Sequence, residues 1–144
     1  MSNTEPVIAR LSEAKEVSFG PAAFYRRLVA GGDVPLVTGV QTCQPGYSTA
    51  LHSHPYVEVL FVLEGESVVW QEGREDKAQH LKTGDMVALP PGIPHAFRNP
   101  GPAVLNMLGI HCSPDRVVNY ANGGKTQADG YAVYDAKGEV VSRT

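Results

Sequence analysis

The chain has 144 residues, of which 42% are hydrophobic and 19% are charged, and this composition fits one globular domain. Its net charge is −3 and no basic stripe is present, so we expect no nucleic-acid partner. No apolar run approaches the roughly 20 residues needed to span a bilayer, so we expect no membrane segment.

Short segments dominate the chain, because fifteen glycines and eleven prolines interrupt it at close intervals. Many of these segments alternate between apolar and polar residues, which predicts an all-β domain of short strands joined by turns. The predicted strands are residues 34–44, 48–54, 56–63, 67–71, 78–82, 85–89, 95–98 and 103–111. The third and fourth are separated by a turn at Gly65, and we expect them to pair as a hairpin.

Helix is predicted at only two places. Residues 12–16 can form one helical turn with Ser12 as its cap. Residues 113–120 can form another, because Pro114 would occupy the first helical position.

The predicted elements divide the chain into three parts. They are an N-terminal arm with a short helix or edge strand (residues 1–33), a β-barrel (34–112) and a C-terminal extension (113–144). The extension is Gly-rich and polar from Gly123 onward, and we expect it to pack irregularly on the barrel or on a partner subunit.

The strongest chemical signal is a group of three residues near the middle of the chain. His52 and His54 are separated by one residue, and Glu58 follows four positions after His54. Residues two apart share one face of a strand, so the three side chains are predicted to point the same way, whereas a helix would scatter them. Imidazole and carboxylate are ligands for borderline divalent metals, so this pattern predicts a metal site.

A second segment, residues 84–99, combines a Pro-Pro-Gly turn with His95. Together the two segments resemble the two signature motifs of the cupin superfamily. The matching residues are Gly46, His52, His54, Glu58 and Gly65 in the first motif, and Gly84, Pro90, Gly92, His95 and Asn99 in the second. The resemblance implies a double-stranded β-helix, a small jelly-roll barrel. It also implies one metal per chain, bound by His52, His54, Glu58 and His95.

The predicted ligand set suits a divalent Fe, Mn, Ni, Cu or Zn ion, and the sequence does not choose among them. Four protein ligands leave two positions of an octahedral ion open, which is typical of a catalytic rather than a structural site. The alternative is a set of buried histidines whose hydrogen bonds are satisfied without any metal.

Strand parity places further residues on the inward face beside the predicted ligands. They are Ser48, Ala50, Leu60, Val62 and Phe97. These side chains predict a largely apolar cavity with few acid–base groups, so the metal itself would carry the chemistry.

His111 ends the last predicted strand and is our candidate catalytic residue, a general base near neutral pH. The alternative is a histidine at the barrel rim with no role. Tyr47 and Tyr56 flank the first motif and either form hydrogen bonds at the cavity mouth or serve as ordinary turn aromatics. We expect His80 to lie at the surface.

The expected compartment is the cytoplasm. The first ten residues lack the pattern of a secretory signal. Cys43 and Cys112 do not form a metal-type pair, and we expect free thiols in a reducing environment.

These features favour a mononuclear metal-dependent enzyme that acts on a small organic molecule, with a dioxygenase-type oxidoreductase as the leading reaction. The alternatives are a non-catalytic module that binds a small molecule, and a metal-dependent isomerase or lyase. A homodimer is expected, because the strand from Val57 to Leu63 is apolar on both faces and needs cover on each.

Overall fold

The computed structural model describes residues 4–31 and 34–121. In these ranges the chain forms strands and two short 3-10 turns, Leu11–Glu13 and Glu75–Lys77, and no α-helix. The strands are β1 (Glu16–Ser18), β2 (Ala23–Ala30), β3 (Val37–Cys43), β4 (His52–Ser53), β5 (Glu58–Glu64), β6 (Glu66–Gln71), β7 (Gln79–Lys82), β8 (Met86–Leu89), β9 (His95–Arg98), β10 (Leu105–His111) and β11 (Asn119–Tyr120). The prediction of an all-β chain is confirmed.

The strands form two antiparallel sheets. The first sheet has the order β1-β2-β3-β10-β5-β8, and the second has the order β11-β4-β9-β6-β7. From β3 onward the chain crosses repeatedly from one sheet to the other, so that neighbours in sequence seldom pair. This is the double-stranded β-helix that the motif resemblance implies.

The predicted hairpin between the third and fourth strands is wrong. β5 pairs with β10 and β8, whereas β6 pairs with β9 and β7 in the other sheet. The chain crosses between the sheets at Gly65, which has a φ of +84°. A Cβ at Gly65 would collide with the carbonyl oxygen of Val104, so the sharp crossing requires glycine.

Both helix predictions need correction. Near the N-terminus a 3-10 turn begins at Leu11, so Ser12 lies inside the turn instead of capping it. Residues 113–118 are irregular and lead into β11 instead of forming a helix. Tertiary contacts hold this segment extended, because Val117 bonds to other parts of the chain through both its N–H and its C=O.

The core lies between the two sheets. Val62, Leu105 and Met107 from the first sheet are at most 2% exposed, and they face Val69 and Phe97 from the second. Each fully buried side chain of this kind contributes about 1.5–3 kcal/mol. The apolar inner faces therefore hold the sheets together around the space in which the site lies.

The outer face of the first sheet is also apolar. Along β5, Val59 and Phe61 are half-buried and Leu63 is 41% exposed. Met86 on the neighbouring β8 pairs with Phe61 and is 59% exposed. We define the outer face of the first sheet by Val59, Phe61, Leu63 and Met86. In the monomer this apolar face of β5 and β8 is partly open to solvent.

The ends of the described chain add strands to both sheets. β1 and β2 extend the first sheet beyond β3, and β11 pairs with β4 at the edge of the second. The tail expected from Gly123 onward lies outside the described residues.

Candidate metal centre

The four predicted ligands come together between the two sheets. His52 opens β4, and His95 opens β9 and is its direct partner in the second sheet. Glu58 opens β5 in the first sheet. One ligand atom from each of these residues and from His54 can be chosen so that all four lie within 4.8 Å of one another. Except for His52, which is half-buried, these residues are buried.

The prediction that His52, His54 and Glu58 share one face of a single strand is wrong. They do not share one strand, because the chain leaves β4 after Ser53 and crosses to the other sheet before Glu58. The side chains converge because two opposed strands point them into the same space. The spacing of His52, His54 and Glu58 would also fit one face of a single strand, but in this fold the chain crosses between the sheets within that spacing.

Each histidine of the group is fixed through its Nδ1 atom. The Nδ1 atom lies 2.7 Å from the Ala50 carbonyl oxygen in His52, and 2.6 Å from that of Val117 in His54. In His95 the corresponding bond, to a carbonyl two residues back, is 3.3 Å long. A carbonyl oxygen only accepts, so Nδ1 carries the proton in His52 and His54, and in a neutral ring Nε2 keeps a free lone pair. In His95 either nitrogen can be the donor, because Nε2 lies 3.2 Å from Oε1 of Glu58.

These lone pairs face a carboxylate. Oε1 of Glu58 lies 3.2 Å from Nε2 of both His54 and His95, and Nε2 of His54 has no hydrogen-bond partner. Acceptors that face one another in a buried space repel unless a cation lies between them. The donor set therefore fits a divalent transition metal held by His52, His54, Glu58 and His95.

Charge states agree with a metal-binding role. Burial lowers the pKa of His52 to about 3, and nearby His95 and His54 act in the same direction, so the ring is neutral at pH 7. Burial would raise the pKa of Glu58, but the facing His111 and His54 rings outweigh it and hold that pKa well below its usual value. Neutral imidazole and ionised carboxylate are the forms that bind metal.

His111 lies deep in the protein rather than at the rim. It is 3% exposed, its Nε2 is 3.0 Å from Oε2 of Glu58, and its Nδ1 is 2.9 Å from the Tyr56 hydroxyl. Burial lowers the pKa of His111 despite the opposing charge of Glu58, so the ring is neutral. Its Nε2–H donates to Glu58 and its Nδ1 accepts from Tyr56, which fixes the carboxylate. His111 is therefore not at the barrel rim, and its catalytic role stays a prediction.

The two tyrosines beside the first motif have different surroundings. Tyr56 accepts a hydrogen bond from the Val117 N–H at 2.9 Å besides contacting His111. Tyr47 is buried against Phe97, with ring centroids 6.2 Å apart, so it packs in the core instead of lining a mouth.

A small cavity of about 30 Å³ lies beside the candidate ligands His52 and Glu58. Its lining corrects the prediction of a largely apolar cavity. The apolar residues Leu60, Phe97 and Met107 line it as expected of inward positions, but the polar residues Tyr25, Gln41, Thr49 and Arg116 line it as well.

Inward parity fails at the start of the first motif. Ser48 is exposed, whereas Tyr47 and Thr49 are buried, because the chain is irregular between Thr49 and Leu51 before β4 begins. Residues further along, Leu60, Val62 and Phe97, are buried as predicted.

Sequence reasoning missed Tyr25, Gln41 and Arg116 because they lie outside both motifs. One signal could have found the first two. At the start of β2 the buried and half-buried positions alternate, which places Tyr25 inward, and Gln41 shares its face because it is the cross-strand partner of Tyr25. The irregular segment that carries Arg116 offers no such signal.

The surface histidine and the cysteines match the predictions in part. His80 has a half-exposed side chain 3.5 Å from Glu66. Neither Cys43 nor Cys112 forms a disulfide, and the first is buried while the second is exposed. No helix in the described part of the chain has the length and apolar character needed to cross a bilayer.

Comparison with known proteins gives one family. Residues 39–111 match the family described as Cupin domain. A curated relative, the HTH-type transcriptional regulator PuuR of Escherichia coli (strain K12), is 35% identical over 72 residues, which is 49% of this chain. The matched stretch spans 37% of the length of the curated relatives.

Solved structures show the same architecture. An RmlC-like cupin from Shewanella frigidimarina has a TM-score of 0.64 at 22% identity, and the match covers 81% of this chain and 96% of that one. The polyketide cyclase RemF from Streptomyces resistomycificus has a TM-score of 0.67 at 19% identity, with 83% and 86% covered. At these identities the likeness concerns the fold.

Proposed function

This chain belongs to the cupin domain family, and on that basis we propose that it is a mononuclear metal-dependent enzyme acting on a small organic molecule. The leading reaction is a dioxygenase-type oxidation. One observation carries the proposal: His52, His54 and His95 have Nδ1 bonded to backbone carbonyls, their ligand atoms converge with that of Glu58 within 4.8 Å, and Nε2 of His54 and of His95 lies 3.2 Å from the buried Glu58 carboxylate.

The ligands we propose are His52, His54, Glu58 and His95. A divalent transition metal at this position supplies a Lewis acid and, if it is iron, the redox chemistry that an oxidation by dioxygen needs. The identity of the metal stays open among Fe, Mn, Ni, Cu and Zn.

The protein around the site contributes position and proton control. His111 holds Oε2 of Glu58, and Tyr56 holds His111 in turn. Burial raises the pKa of Tyr56, so its hydroxyl stays protonated and can donate to Nδ1 of His111. His111 also lines the cavity and stays our candidate general base, but both of its ring nitrogens are engaged, so taking a substrate proton would require it to release Glu58 or Tyr56.

The protein is loaded with Fe(II) under anaerobic conditions. Oxygen and one substrate from a panel of catechols, enols and β-dicarbonyls are then added, and oxygen uptake is measured. We expect uptake that depends on one of these substrates and that the His52→Ala variant lacks. Turnover without oxygen uptake would contradict the dioxygenase and favour the isomerase or lyase. Saturable binding with no turnover would contradict an enzyme of any of these classes.

A second candidate is a non-catalytic module that binds a small molecule. The observation that favours it is the 35% identity to a protein named as a transcriptional regulator. The same oxygen and product assays separate the two candidates, because a binding module saturates with its ligand and releases it unchanged.

We also propose a homodimer that forms through the outer face of the first sheet. Its support is the run of Val59, Phe61, Leu63 and Met86, since an exposed apolar patch of this kind is typical of a protein interface. Light scattering is expected to give twice the chain mass of 15.4 kDa. Phe61→Lys should give the single mass, while Glu75→Lys on an exposed turn should not. A monomeric wild-type protein would contradict the proposal.

Cys43 and Cys112 form no disulfide, as expected in a reducing compartment, and we propose the cytoplasm. Nucleic acid and membrane remain unexpected partners on the grounds of charge and hydropathy, and a small-molecule substrate remains the proposed one.

A further inference from the structure

Two polar groups face the cavity without a partner in the described part of the chain. They are the hydroxyl of Tyr25 and the Nε2 amide of Gln41, which project from paired positions on β2 and β3. Tyr25 is 4% exposed, and both residues line the cavity beside His52 and Glu58. Buried polar groups are nearly always hydrogen-bonded, so two such groups side by side indicate a place for a ligand.

The Tyr25 hydroxyl is held in this position by its surroundings. Its ring is stacked on Phe19 with centroids 5.5 Å apart, and the guanidinium carbon of Arg116 lies 5.6 Å from the ring centroid. The phenol end lies on Gly39, where a Cβ would collide with it. Burial raises the pKa of Tyr25, although Arg116 and Arg27 act against this, so the hydroxyl keeps its proton.

The same cavity joins this hydroxyl to the metal centre. Gly39 is the cross-strand partner of Gly109 on β10, and a Cβ at Gly109 would lie 3.8 Å from Oε2 of Glu58. The Tyr25 phenol and the Glu58 carboxylate therefore lie above adjacent strands, which are separated by about 5 Å. A ligand atom between them would contact both sides.

The size and charge of the cavity define what fits. A volume of about 30 Å³ holds about two waters, and this is room for the oxygens of one carboxylate rather than for a whole substrate. Tyr25 and Gln41 offer hydrogen-bond donors, and Arg116 adds positive charge to the same wall. A carboxylate only accepts hydrogen bonds and carries negative charge, so it matches this wall.

We propose that Tyr25, Gln41 and Arg116 bind the carboxylate of a small organic acid, with the acid reaching the metal centre from this wall. The inference rests on the proposed metal-dependent function and names the substrate class for it. Tyr25 and Gln41 determine specificity, because they distinguish a carboxylate from a neutral group of the same shape.

The test uses isothermal titration of the zinc-loaded protein, because zinc is redox-silent and the readout is binding. The probes are acetate, pyruvate and malonate, each compared with its neutral amide at constant ionic strength. We expect at least one carboxylate to bind and its amide not to bind. Tyr25→Phe should weaken binding about tenfold or more, the effect of losing one hydrogen bond to a charged group.

Gln41→Glu places a negative charge at the same position and should weaken carboxylate binding more than Tyr25→Phe does. The matched control is Gln79→Glu, the same change at an exposed position on β7, which should leave binding unchanged. Binding of no carboxylate, equal binding of acid and amide, or undiminished binding by both cavity variants would overturn the inference.

Zinc content separates this inference from the proposed function. If the wild-type protein fails to take up zinc, the metal-dependent function is contradicted. If it takes up one zinc per chain and the carboxylates do not bind, only the present inference is contradicted. Tyr25→Phe should unfold at the same urea concentration as the wild type, since its hydroxyl bonds to no described residue. A clear loss of stability would mark the hydroxyl as structural and overturn the proposal.

Discussion

The two sides of the cavity treat their polar groups in opposite ways. On the metal side, the rings of His52, His54 and His95 are each tied to a backbone carbonyl, and Glu58 is tied to His111. On the opposite side, which is formed by β2 and β3 of the same sheet that carries Glu58, Tyr25 and Gln41 are held in place by packing and strand pairing, and the Tyr25 hydroxyl and the Gln41 Nε2 have no partner among the described residues. The comparison indicates that hydrogen bonds within the protein fix the proposed metal ligands, whereas hydrogen-bond donors without a protein partner are available to bind a ligand.

The largest expected effect concerns the metal side. His52→Ala removes one of the four proposed ligands. We expect its metal affinity to fall by more than about 100-fold, because removing only the hydrogen-bond partner of a ligand already lowers affinity by about 10–100-fold. Elemental analysis measures metal content, and circular dichroism should show an intact β fold. The matched control is His80→Ala, which removes an exposed histidine. Full metal content in His52→Ala would show that the ligand assignment is wrong.

The next test compares two glycines, Gly39, which lies against the Tyr25 phenol, and Gly109, which lies near Glu58. Gly39→Ala introduces a Cβ that collides with the Tyr25 phenol, so we expect a loss of about 1–3 kcal/mol in the free energy of unfolding. Gly109→Ala meets Leu60 and Glu58 at 3.7 and 3.8 Å, which is ordinary contact, so it should cost less than about 1 kcal/mol. Urea unfolding measures both. Equal losses would mean that the Tyr25 ring moves freely.

A pH series separates the sides by their titratable groups. Burial holds the pKa of His52 at about 3 in the folded protein, below its ordinary value of 6.5. The unfolded chain binds this proton first as the pH falls, so the stabilisation is complete above pH 6.5 and is lost progressively toward pH 3. We expect the unfolding free energy of the metal-free protein to fall between pH 7.5 and 4.5.

Variants assign that pH dependence to one side. Tyr25→Phe should keep the slope, because it leaves the buried His52 ring in place, while His52→Ala should reduce it. A wild-type stability that stays constant from pH 7.5 to 4.5 would contradict the neutral, buried state of His52.

The smallest expected effect concerns Tyr56. Tyr56→Phe removes the hydroxyl that contacts His111 and accepts from the Val117 N–H. We expect a loss of about 1 kcal/mol in the free energy of unfolding, typical of one hydrogen bond. Metal affinity should fall about tenfold, because His111 then holds Glu58 less firmly. Competition with a chelator measures the affinity. An unchanged affinity would show that the chain from Tyr56 to Glu58 does not support the metal.

The sequence could predict the metal side because its signals are local. The spacing of His52, His54 and Glu58 and the turn before His95 lie within two short motifs, and the fold follows from the resemblance they carry. The hairpin at Gly65 could not be judged locally, because a crossing between sheets and a turn within one sheet both need a glycine.

The opposite side depends on contacts between distant segments. Tyr25 comes from β2 and Arg116 from an irregular segment near the other end of the described chain, and only the folded sheets bring them together. The helix expected over residues 113–120 failed for the same reason. Local propensity favoured a helical turn, but the Val117 C=O accepts from His54 and the Val117 N–H donates to Tyr56, and these bonds hold the segment extended.

The bond between His54 and Val117 has a consequence for synthesis of the chain on the ribosome. The carbonyl that fixes the His54 ring belongs to a residue 63 positions later in the sequence. A nascent chain that already exposes both motifs therefore still lacks the group that sets the tautomer of one proposed ligand. Tight metal binding should follow the emergence of Val117, so that metal uptake is one of the last events in folding rather than its nucleus.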